Sequence, residues 1–220
     1  MERVRPFEDR YDRYDAWYEK FPGERLFKIE LNCLKKLVPA PGFSIEVGVG
    51  TGRFAEKLGV KYGLDPAFNP LKISRSRGIS VVQGDGRQTP FRDNTFETLF
   101  LIVTICFADE PELLVKEAFR ILKPGGRIIL GLVPRNSDWG KYYLKLKSQG
   151  HFFYKYADFY TIAEINSMLE HSKFEPPTGL STLFGPPPDG SDEEFIDEKL
   201  REDAGFVCIS SRKPLHHRNL

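Results

Sequence analysis

The segment Ile45-Glu46-Val47-Gly48-Val49-Gly50-Thr51-Gly52 decides how this chain is read. A short apolar run ends in three glycines at alternate positions, and a helical pattern opens directly after them. Glycine is required where a backbone turns sharply or must let a ligand approach without a side chain between. In an open α/β sheet such a turn lies at the carboxyl edge of the strands, where ligands bind. Arg53 stands where a dinucleotide fingerprint would place its third glycine, so a pyrophosphate cradle is disfavoured. No lysine followed by Ser or Thr closes the turn, which argues against a nucleoside triphosphate. What remains is a nucleoside cofactor that does not need a phosphate cradle.

Working outward, apolar runs at 43–47, 60–64, 79–82, 98–103 and 127–133 read as buried strands bounded by glycine or proline. The intervening stretches read as helices, which predicts a parallel sheet with right-handed crossovers. The clearest helix is expected to start from Asp109 as N-cap, with Pro111 in the first turn, and to end at Lys123-Pro124-Gly125-Gly126. An amphipathic helix over 24–38 leads into this core, and another follows at 162–171. Runs at 178–184 and 206–211 are expected to pair as a hairpin around Pro186-Pro187-Pro188-Asp189-Gly190. Nothing divides residues 1–220 into two domains. The divisions are a cap and leading helix (1–38), a cofactor core (43–133), an aromatic insertion (134–160) and the rest of the sheet (161–211).

Two acids extend the glycine turn. Asp65, in Gly63-Leu64-Asp65-Pro66, ends the second strand, where a carboxylate can accept from vicinal ribose hydroxyls. Asp85, in Gln83-Gly84-Asp85-Gly86, ends the third and could accept from an adenine amino group. Each alone could be a turn residue or helix cap; together with the glycines they form a pattern.

On these residues the chain resembles the class I S-adenosylmethionine-dependent methyltransferases, of the small-molecule type related to ubiquinone and menaquinone biosynthesis. Gln88-Thr89-Pro90-Phe91-Arg92-Asp93-Asn94-Thr95-Phe96 and Ala118-Phe119-Arg120-Ile121-Leu122-Lys123-Pro124-Gly125-Gly126 are similar to that family's stretches before its fourth and fifth strands. The resemblance implies a Rossmann-like α/β fold, a seven-stranded mostly parallel sheet with helices on both faces and the last strand antiparallel. It implies that Glu46, Gly48, Gly50 and Gly52 surround the methionyl part of S-adenosylmethionine. Asp65 and Pro66 would hold the ribose, Asp85 and Gly86 the adenine, and the backbone at Leu101 and Ile102 would face the methionyl ammonium. Glu46 replaces the commoner aspartate. Cys106-Phe107 stands where many relatives carry a histidine pair, and the Pro-Pro motif of nucleic-acid amino methyltransferases is absent.

The substrate side is sought in two aromatic segments: Tyr11, Tyr14, Trp17 and Tyr18 near the start, and 139–160 after the fifth strand, with Trp139 and Phe153. These rings either face substrate or pack a lid onto the sheet. His151 and Tyr18 are the candidates for moving a proton, although a lone histidine in a loop is more often solvated. The formal net charge of +1 offers no broad field for nucleic acid, and Lys141, Lys145 and Lys147 at helical spacing read as a solvated face. No metal is expected: Cys33, Cys106 and Cys208 read as buried thiols and His216-His217-Arg218 as a disordered end. Without a leader or a long apolar segment the chain reads as cytoplasmic. The acceptor is expected to be a small molecule. A macromolecular acceptor, or a module that binds cofactor without catalysis, is the alternative. Oligomeric state is not legible.

Overall fold

The computed structural model describes residues 2–38, 42–190 and 195–215. Seven strands form one sheet in the order β3-β2-β1-β4-β5-β7-β6. They are β1 (Ser44–Val47), β2 (Tyr62–Asp65), β3 (Ser80–Gln83), β4 (Phe96–Ile102), β5 (Leu122–Leu132), β6 (Thr178–Thr182) and β7 (Phe206–Arg212). Pairing is parallel from β3 to β5, and β7 is antiparallel to both of its neighbours. The sequence-predicted pairing of the last two strands is present, running from Thr178 opposite Ser210 to Thr182 opposite Phe206.

Alternation along the strands explains the layers. Leu99, Leu101, Ile128, Leu130, Val207 and Ile209 point to one face, while Phe100, Ile102, Ile129, Phe206 and Cys208 point to the other. Helices α5 (Pro111–Ile121) and α7 (Ile162–His171) cover the first face. Helices α2 (Gly23–Leu37), α3 (Arg53–Leu58) and α4 (Phe68–Ser76) cover the second. Strands β1, β4 and β5 are buried on both sides and carry the continuous apolar runs such burial requires. Cys33, Cys106 and Cys208 are all buried free thiols.

Two expected boundaries move. Glu110, not Asp109, holds the cap position of α5, and no side chain caps it; Asp109 instead pairs with Arg3 at 2.7 Å. The helix also stops before the Lys-Pro-Gly-Gly turn. Leu122 is already extended and pairs with Phe96, and a register irregularity carries Pro124-Gly125-Gly126 into the regular pairing that resumes at Arg127. The Pro-Gly-Gly segment is therefore an interruption within β5, with Gly125 at φ +77°, where a side chain is disfavoured.

The two remaining helices are α1 (Arg5–Trp17) and α6 (Asp138–Ser148). Ser137 caps α6 by accepting from the Gly140 N–H. Residues 216–218 lie outside the described residues. Among those described, no helix is long and apolar enough to cross a membrane.

Candidate functional site

Strands β1, β2 and β3 pair in register, with Val47 beside Leu64 and Leu64 beside Val82. Their carboxyl ends therefore finish together, and the loops that follow share one cavity of about 540 Å³. It opens where the strand order reverses between β1 and β4, the place an open α/β sheet offers a ligand.

The glycine turn forms one side. Gly48 and Gly50 line the cavity at φ +77° and +50°. A Cβ on Gly48 would collide with the side chain of Thr104, which seats over it from the end of β4; a Cβ on Gly50 would meet nothing within 4 Å. Gly52 has another role. It does not line the cavity; it starts α3 at φ +80°, where a side chain would strike Ile79 and Ser74. It lets α3 pack, rather than a ligand approach.

The acids divide in the same way. Glu46 is 2 % exposed, and its Oε2 is buried without a hydrogen-bond partner while the residue lines the cavity. Burial pushes its carboxyl well above the usual range; a backbone contact at Ala55 opposes this and the Asp65 charge adds to it. Leaving such an oxygen unpaired is costly, so it calls for a donor from outside the protein. Asp65 accepts from the N–H of Gly50 through Oδ2 and from the N–H of Ala67 through Oδ1, each at 2.8 Å. Burial raises it to about 6, against the pull of those two N–H groups. Each oxygen keeps a lone pair for a further donor. Asp85 sits at the rim, forked to the guanidinium of Arg87 at 2.7–3.1 Å, and that contact holds it below the ordinary range. Pro66, Gly86 and Ile102 also line the cavity. Leu101 does not: alternation along β4 turns it wholly into the core.

The opposite side is α1. Val4, Phe7, Tyr11, Tyr14 and Tyr18 recur at three- and four-residue spacing, and all five line the cavity across a kink at Arg10. Phe7 meets Phe107 and Tyr14 edge to face at 4.8 and 5.4 Å. Long-range contacts seat the helix. Asp15 receives the fork of Arg53 at 2.7 and 2.8 Å, the Thr51 hydroxyl at 2.6 Å and Arg77 at 3.1 Å. Burial alone would raise Asp15, but these donors together bring it down to about 2. Glu8 accepts from the N–H of Asn69, and Arg3 pairs with Asp109 and Asp158 at 2.7 Å. Arg53, which displaces the third glycine of a dinucleotide turn, is thus an anchor for the roof.

Several sequence candidates lie elsewhere. Trp17 turns off the lining face and is 39 % exposed. Trp139 is buried in the core, with Nε1 donating to the Gly185 carbonyl at 2.8 Å. Phe153 stands behind the lining, against Phe7 and Tyr14 at 5.6 and 5.3 Å. His151 does not reach the cavity; it stacks on Tyr154 at 4.9 Å, and burial followed by the Arg13 charge lowers it, which keeps it neutral. Tyr18 lines the cavity and shares a hydrogen bond with Tyr14 at 3.1 Å. Burial, reinforced by Tyr14 and Glu30, pushes the Tyr18 phenol well up.

Phe7, Thr104, Phe107 and Arg87 line the cavity without having been singled out. Phe7 was accessible from the spacing with Tyr11, Tyr14 and Tyr18. Thr104 was not: its position depends on Val103, a β-branched residue at φ +52° that turns the chain out of β4. Among the described residues, no group of three or more His, Cys, Asp or Glu is placed to hold a metal ion.

Residues 45–130 match a family model described as a methyltransferase domain. A crystal structure from Thermotoga maritima, described as an S-adenosylmethionine-dependent methyltransferase and possible histamine N-methyltransferase, superposes with a TM-score of 0.89. It is 36 % identical and covers 96 % of this chain and 99 % of its own. An uncharacterized protein of Methanocaldococcus jannaschii is 37 % identical over 93 % of this chain and 98 % of its own length. A demethylmenaquinone methyltransferase of Corynebacterium kroppenstedtii is 31 % identical, over 43 % of each chain. With a glycine turn, an unpaired buried carboxyl oxygen and two strand-end acids gathered at one switch point, the chain belongs to the class I S-adenosylmethionine-dependent methyltransferases.

Proposed function

We propose that this chain transfers the methyl group of S-adenosylmethionine to a small-molecule acceptor held beneath α1. The observation that carries the reading is Glu46 Oε2, buried, unpaired and beside the open backbone of Gly48 and Gly50. That arrangement suits the methionyl ammonium of the cofactor. Asp65 retains lone pairs for ribose hydroxyls, and Asp85 with Gly86 would flank the adenine. When bound, the cofactor supplies a methyl group made electrophilic by its sulfonium.

The protein's part is positioning. A roof tied down through Arg3, Glu8 and Asp15 would confine the acceptor beside the cofactor. Orientation of two reactants can contribute on the order of 7–11 kcal/mol, so a dedicated base is not a requirement. Tyr14 and Tyr18 would orient the acceptor as neutral phenols. A helix lines one side of the cavity, and the formal net charge of +1 gives little purchase on a polyanion, which supports a small acceptor over a macromolecule. A cytoplasmic setting is compatible with this chemistry.

Titration calorimetry with S-adenosylhomocysteine tests the cofactor assignment, and absence of saturable binding sinks it. Methyl-labelled cofactor, incubated with cell extract and separated by size, tests the acceptor. Label confined to macromolecules would reject a small-molecule acceptor.

A further inference from the structure

Asp85, Gly86 and Arg87 line the cavity just past the end of β3. Gly86 is the point of close contact. A Cβ there would lie 2.7 Å from both Leu114 of α5 and Val47 of β1, so the loop rests directly on these two elements. Asp85 and Arg87 flank this fixed piece of backbone, and their side chains bind each other.

The acceptor sites of Asp85 can be counted. Oδ1 accepts from the backbone N–H of Arg87 at 2.9 Å and from its Nε at 3.0 Å. Oδ2 accepts from Nη2 at 2.7 Å and shares the Nε–H at 3.1 Å. A carboxylate oxygen takes about two donors, so Oδ1 is filled and Oδ2 keeps one place. The guanidinium is fixed in turn, because its Nη1 donates to Glu110 Oε2 at 2.7 Å, at the head of α5. Exposed ion pairs are usually weak, but a two-nitrogen fork shared with a second acid holds its geometry better than a single contact. Beside that guanidinium Asp85 stays ionised, and an ionised carboxylate only accepts.

An acceptor fixed in one direction discriminates between purines. Adenine presents a 6-amino donor; hypoxanthine presents a 6-oxo acceptor there and carries a hydrogen on N1 instead. A carboxylate free to turn can take either hydrogen, whereas one locked by a fork takes the donor on its open side alone. We propose that Arg87 is a positioning residue for the base of the cofactor: by filling Oδ1 and locking the plane of Asp85, it leaves Oδ2 as a single directed acceptor for the 6-amino group of adenine and selects against 6-oxo purines. The inference rests on the placement of adenine at Asp85 and Gly86 proposed above, and adds the group that makes that placement selective.

The test is calorimetric titration of the full chain at pH 7 with S-adenosylhomocysteine and with S-inosylhomocysteine, its 6-oxo counterpart. The unaltered chain is expected to bind the adenosyl ligand at least about tenfold more tightly. In Arg87→Ala the ratio should fall to about threefold or less, through loss of adenosyl affinity, because the freed carboxylate no longer favours one hydrogen. Arg87→Lys keeps the charge but cannot form the fork, so its ratio should fall as well. The ratio is the readout, since a purely structural role would weaken both ligands equally. Equal weakening, or a ratio that survives in either variant, overturns the role of Arg87 and leaves the cofactor seat standing. A ratio near one in the unaltered chain overturns the adenine placement together with the inference. Failure to bind S-adenosylhomocysteine at all overturns the cofactor assignment itself. Arg87→Lys decides the matter if Arg87→Ala does not fold.

Discussion

The two sides of the cavity are built by different means. The cofactor side comes mostly from residues 46–86 and is made largely of backbone: two glycines at positive φ, and an aspartate fixed by two N–H groups. The roof comes from α1 and is made of side chains whose partners lie far along the chain, Asp15 with Arg53 and Arg77, Arg3 with Asp109 and Asp158. A turn of backbone can be specified by a few adjacent residues. A roof has to be positioned by contacts that exist only once the sheet has formed.

The strongest way to break this contrast is Gly48→Val. Its side chain would collide with Thr104 at a backbone angle of +77°, and we expect S-adenosylhomocysteine affinity to fall by at least about a hundredfold, roughly 3 kcal/mol. Retained affinity by calorimetry would show that the turn is not a rigid cradle. Next, Asp15→Asn removes the charge that Arg53 and Arg77 share. Loss of about 2 kcal/mol, or some 4–8 °C in Tm, is expected, together with faster proteolysis within α1. Cofactor affinity should change much less. An unchanged Tm would mean the roof is held by its rings rather than by its charges.

The acids sharpen the contrast through pH. Glu30 keeps its proton in the folded chain up to about 8, whereas the unfolded chain loses it near the ordinary carboxyl value. The folded state then binds the extra proton, and stability falls as pH rises through about 8. Glu30→Gln should therefore raise Tm at pH 9 by several degrees, on the order of 2 kcal/mol, and leave it unchanged at pH 4. No gain at pH 9 would place its carboxyl in solvent. Asp65 tests the cofactor side. Ribose hydroxyls donating to it favour the ionised form, so binding of S-adenosylhomocysteine should release a proton and weaken several-fold as pH falls below about 6. A flat affinity between pH 5 and 7 would remove Asp65 from the binding set. The smallest effect is expected from His151→Ala, because His151 is held beside Tyr154 and outside the cavity. An altered pH profile of methyl transfer would bring it back as a proton carrier.

Local chemistry accounts for how much could be read in advance. The strands, the order of elements and the Gly48–Asp65–Asp85 series are visible because turns and buried strands write themselves into adjacent residues. The misplacements share one cause. Asp109 looks like a helix cap until Arg3 is found beside it, and Trp139 looks like a substrate wall until its N–H is found on Gly185. In each case the deciding partner is remote in the chain.

The layered α/β sheet and the nature of the cofactor crevice are written in local sequence, since hydrophobic period and glycine placement act over a few residues at a time. Which rings face the cavity, which acids are already neutralised, and that Glu46 Oε2 is buried without a hydrogen-bond partner follow from the assembled fold alone. Burial and charge balance are properties of an assembled neighbourhood. They depend on which side chains meet across the sheet, and no short stretch of sequence contains that information.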